Sequence, residues 1–132
     1  MPYELTFTHP IAPPAEAEYI NDCCHGGDVI TARLLPIVTA RYEDVDTGQE
    51  DWGWFIWFRQ GAVRLAIDVF TDDPETGQFR IHLTARTTRL LVLSTVIDTP
   101  ELEDVRALVL AELTPWVGGP VSVTRLDPDE IA

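Results

Sequence analysis

Arg64, Asp68, Arg80, His82, Thr84 and Arg86 are the residues whose types and spacing could do chemistry. Within each of two segments they are separated by even numbers, and alternate side chains of an extended chain fall on one side. If the two segments pair with their apolar faces together, Asp68 lies opposite or diagonal to Arg80 and His82. Guanidinium, imidazole and carboxylate on one surface make a shallow site for an anion or a carboxylate. A solvated sheet face laced with cross-strand ion pairs has the same composition, and each such pair adds only about 0.2–1 kcal/mol.

Trp52, Trp54, Trp57, Phe55 and Phe58 form a dense aromatic block. Such rings can line a pocket or anchor an interface, and they can equally fill a core. Most of the tryptophans are expected inside, with Trp52, beside Gly53 and an acidic stretch, left partly exposed as a binding residue.

Cys23-Cys24-His25 suggests a metal or a nucleophile, but adjacent thiols lack the gap that lets two cysteines reach one zinc ion. Packing at a helix end is the simpler expectation. Asp44-Val45-Asp46-Thr47-Gly48 begins like a calcium loop, yet glycine falls one position early and Phe55 stands where the distal glutamate belongs. No metal site is therefore expected. The chain also lacks a zinc-binding helix, a phosphate-cradling glycine loop and a nucleophile elbow, so neither a cofactor nor a catalytic residue is assigned.

Charge narrows the partners. Acids outnumber bases 22 to 9, the net charge is −13, and every base is arginine. Nucleic-acid and anionic-membrane binding both rest on basic side chains, so both are disfavoured. A basic protein partner is electrostatically permitted. Reduced thiols, no apolar run long enough to span a bilayer and no secretory leader at Met1-Pro2-Tyr3-Glu4 together lead to an expected cytoplasmic location.

The elements that would position these groups follow from periodicity. Tyr3, Leu5 and Phe7 alternate with polar residues as in a half-buried strand. Pro13-Pro14 opens a short helix to about Cys24. Asp28 to Leu35 reads as helix or strand, and Pro36 closes it in either case. Ile37 to Tyr42 reads as a strand and Glu43 to Asp51 as a polar loop. Trp54 to Phe58 is apolar throughout, which predicts a strand covered on both faces. Val63, Leu65, Ile67 and Val69, then Phe79, Ile81, Leu83 and Ala85, alternate on either side of the turn at Asp72–Gly77 and predict a hairpin. Leu90 to Ile97 continues as strand. Asp98-Thr99-Pro100-Glu101 starts a helix, with Asp98 or Thr99 as its cap and Leu102, Val105, Leu108, Val109 and Leu113 inward, ended by Thr114-Pro115. Val121 and Val123 mark a last strand.

The expected architecture is one α+β domain over residues 1–132: a single antiparallel sheet of five to six strands, one face packed by two or three helices. The functional expectation is a non-enzymatic, acidic protein-binding or regulatory module of inhibitor, immunity or small-chaperone type. The alternative is a small-molecule binder or hydrolase using the Arg64/Asp68/Arg80/His82 face, with Arg86 beside it. A homodimer that pairs exposed sheet faces is a third expectation.

Overall fold

The computed structural model describes residues 2–10, 26–89, 93–96 and 99–127. Its centre is the expected hairpin, β4 (Val63–Asp73) and β5 (Gln78–Arg89). Their register sets Leu65 against Ala85, Ile67 against Leu83 and Val69 against Ile81, and all six are buried. β3 (Gly53–Gln60) turns back along β4, and β2 (Glu43–Glu50) lies outside β3. On the far side β1 (Tyr3–Thr8) pairs with β5, and β7 (Ser122–Arg125) closes the row. Six strands thus run side by side in the order β2-β3-β4-β5-β1-β7, and the short β6 (Leu93–Val96) pairs with the end of β5 that β1 leaves open. The sheet is antiparallel and two helices pack on one face, an α+β arrangement.

α1 (Gly27–Thr39) presents Ile30, Leu34 and Val38, one turn apart, to β3 and β4. α2 (Pro100–Val117) presents Leu102, Val105, Val109 and Leu113 to β5 and β1, while Leu108 of the predicted stripe is only half-buried. The start of α2 follows its sequence signals: Thr99 Oγ1 accepts the Leu102 N–H at 3.1 Å, Pro100 occupies the first turn, and Glu101 and Glu103 face the positive end of the helix dipole.

The helix boundaries depart from expectation at both prolines. Pro36 and Pro115 lie inside α1 and α2 rather than ending them. Both are exposed, so the carbonyl each leaves without a helical partner faces water. Val38 and Val117, just beyond them, are buried, and that burial holds the last turn. Residues 37–39 are therefore helix, not strand. The segment read as a polar loop is instead the edge strand β2, with Val45 against the core. An edge strand needs no strict apolar alternation, and its Glu43, Asp44, Asp46 and Glu50 discourage further strand pairing. The helix predicted before Cys24 falls outside the described residues, as do Cys23, Cys24 and His25 themselves. β6 lies within the predicted 90–97 strand.

Among the described residues no helix is long and apolar enough to cross a membrane.

Candidate functional site

The helices cover one face of the sheet; the other carries the polar residues, and its geometry is best followed in rows across the strands. Arg59, Arg64 and Arg86 stand directly opposite one another on β3, β4 and β5. The next row is Asp46, Trp57, Ala66 and Thr84, and the one beyond it Phe55, Asp68, His82 and Glu4. Successive rows are two residues, about 6.7 Å, apart along a strand.

The middle row is a trough, because Ala66 and Thr84 are small where their neighbours are long. A cavity of about 530 Å³ sits over it, lined by Asp44, Asp46, Trp57, Arg59, Arg64, Asp68, Thr84 and Arg86 among others. Trp57 forms one wall. Its ring stacks on Phe55 at 4.0 Å and its indole N–H donates to Asp68 Oδ1 at 2.9 Å. Phe55 thus covers one face of the ring, and Trp57 lines the cavity together with the arginine row. Trp57 is 41% exposed, as open as Trp52 at 38%. This differs from the strand covered on both faces that the apolar run predicts: Phe55 is buried, and Trp57 is not.

The residues singled out in the sequence thus divide. Arg64, Asp68, Thr84 and Arg86 meet at the cavity. Arg80 and His82 belong to a separate packed cluster, and Trp52 caps it by lying 5.1 Å from the Phe70 ring. In that cluster Arg80 pairs with Asp72 at 3.3 Å and lies 4.4 Å over the Phe70 ring. His82 Nε2 sits 3.2 Å from Glu4 Oε1 and 3.3 Å from Arg80 Nη1. It can donate to the first or accept from the second, but one ring nitrogen cannot do both in one protonation state. His82 is only 7% exposed, so this part of the face is filled by its own side chains rather than solvated. His82 is not among the residues lining the cavity over the trough. Trp57 and Arg59 were the missed members of the site; an exposed tryptophan inside an unbroken apolar run carries no signal of its exposure.

Burial pushes the Asp68 carboxyl above the ordinary aspartate value of 3.8, while the Trp57 hydrogen bond and the nearby His82 and Arg86 pull it down without cancelling the effect. The folded protein then holds this proton more tightly than the unfolded chain. Its contribution to stability is complete below the ordinary value and is lost as pH rises through the raised one. Asp68→Asn is therefore expected to be more stable than wild type at about pH 7 and to converge with it below about pH 4. Urea unfolding at the two pH values checks this; a variant less stable at neutral pH would show that the carboxylate is favourably paired instead.

Among the described residues no group of three or more His, Cys, Asp or Glu is placed to hold a metal ion. No protein-family model matches the chain, and no curated protein or solved structure matches it either.

Proposed function

We propose that the protein is a non-enzymatic binding module, acting in the cytoplasm, whose working surface is the cavity on the sheet face opposite the helices. The observation that carries this reading is Trp57: a large ring held in place by Phe55 and Asp68, with its other face exposed above a floor of Ala66 and Thr84. A sheet positions these side chains rigidly, so little order has to be gained on binding. The cavity volume falls within the range of small-molecule sites, about 300–1,000 Å³.

A second reading rests on a different observation. β2, the acidic edge strand, runs into the exposed Trp52, and together they offer carboxylates and an aromatic ring to a basic protein segment.

One thermal-shift screen separates the two readings. It uses small ligands and an oligo-arginine peptide, on wild type and on Trp57→Ala. Ligands that raise the midpoint of wild type and lose their effect in Trp57→Ala support the cavity. A response confined to the peptide, abolished by salt and unchanged in Trp57→Ala, supports the β2 edge and removes the cavity reading.

A further inference from the structure

We propose that Arg64 and Arg86 together bind the anionic group, carboxylate or phosphate, of a small ligand whose flat apolar body stacks on Trp57. This inference rests on the cavity reading above and names the chemistry of its ligand.

The argument begins with where charge is left uncompensated. In a chain with 22 acids and 9 arginines, a guanidinium easily finds a carboxylate. Arg33, Arg59, Arg80, Arg106 and Arg125 each do so, with Glu112, Asp44, Asp72, Glu103 and Glu103 respectively. Among the described residues Arg41, Arg64 and Arg86 lie within ion-pair distance of no carboxylate, Asp68 attracting Arg86 only from farther off, and of the three only Arg64 and Arg86 face each other directly, across β4 and β5. Like charges placed opposite each other in a sheet are destabilising, and packing does not demand them here, since neither residue is in the core. An anion between the two relieves the repulsion, and two planar guanidinium groups can grip it with several charge-assisted hydrogen bonds.

The remaining side chains orient the ligand. Arg59 is held by Asp44 at 2.8 Å, which leaves Arg64 and Arg86 as the anion-binding members of the row. Trp57, exposed and lining the same cavity, supports the apolar body over Ala66 and Thr84. Asp46, in the row of Trp57, and Asp68, in the row beyond it, also line the cavity. They repel a second anionic group and accept hydrogen bonds, so the far end of the ligand is neutral or cationic and carries a donor. A ligand bearing negative charge at both ends is excluded.

Phenyl phosphate, benzoate, benzamide and benzylammonium share the flat body and differ in the head. Each is titrated calorimetrically into the full chain and into Arg64→Gln/Arg86→Gln, with the Trp57 indole N–H followed by NMR. The expected result is that at least one of the anions binds at least about tenfold more tightly than benzamide and loses that advantage in the double variant. The tighter anion then identifies the head as phosphate or carboxylate. Arg41→Gln, at an arginine that is not among the residues lining the cavity, should leave every affinity unchanged. If benzamide or benzylammonium moves the Trp57 signal and binds as well as the anions, the anion inference fails while the cavity stands. If none of the four binds, the inference fails, and the cavity as a site for flat aromatic ligands fails with it. Unchanged urea midpoints in the double variant show that any lost binding is not lost folding.

Discussion

Gly77→Ala is expected to lower the unfolding free energy by about 3 kcal/mol or more, the sum of a backbone term and a steric one. Gly77 ends the turn between β4 and β5 with φ at +74°, a conformation that side chains with a Cβ rarely adopt. Its N–H donates to Asp73 O at 2.9 Å and its carbonyl accepts from His9 N at 2.8 Å, so the turn is tied to the end of β1. An added Cβ would lie 2.5 Å from His9 O and 2.6 Å from Pro10 Cα. Both are backbone atoms fixed by that hydrogen bond, and neither can swing aside as a side chain could. The turn and β1 must separate, or the φ angle must change. Urea unfolding followed by tryptophan fluorescence measures the loss; a variant within about 0.5 kcal/mol of wild type would mean that the turn is not built as described.

The second large effect tests the two-sidedness of the sheet. Ile67→Ala should cost about 3 kcal/mol, because Ile67 is fully buried between Ile56 and Leu83 and its truncation leaves a cavity in the core. Arg64→Ala, three residues earlier on the same strand and on the other face, should change stability by no more than about 0.5 kcal/mol. Any change should favour the variant, since it removes one of two facing positive charges. The informative quantity is the difference between the two substitutions in one urea experiment. Equal losses would mean that the face bearing Arg64 is packed as tightly as the core.

The β4-β5 hairpin was legible because its apolar residues recur at every second position without interruption, and its observed register places Asp68 opposite His82, inside the range that periodicity allows. The start of α2 was legible because several local signals coincide at Asp98-Thr99-Pro100-Glu101, and of the two possible caps Thr99 is the one that accepts the Leu102 N–H. What could not be read locally was decided by long-range packing. Pro36 and Pro115 are helix breakers by their own chemistry, yet burial of Val38 and Val117 beyond them carries each helix on. β2 looks like a loop because its strand character comes from pairing with β3, not from its own acidic residues. The candidate site was half legible for the same reason. Parity alone puts Arg64, Asp68 and Arg86 on one face. That His82 is packed under Arg80, Glu4 and Phe70, whereas Trp57 stands open, depends on neighbours contributed by β1 and β3.

The central claim, that the face opposite the helices is where this protein binds, is tested most directly by heteronuclear NMR of the labelled chain during addition of the tightest-binding compound of the screen. The predicted result is a shift of the Trp57 indole N–H together with the amides of Arg64, Ala66, Thr84 and Arg86, while α1 and α2 stay unchanged. Shifts gathered on the helical layer, with the Trp57 indole unmoved, would contradict it.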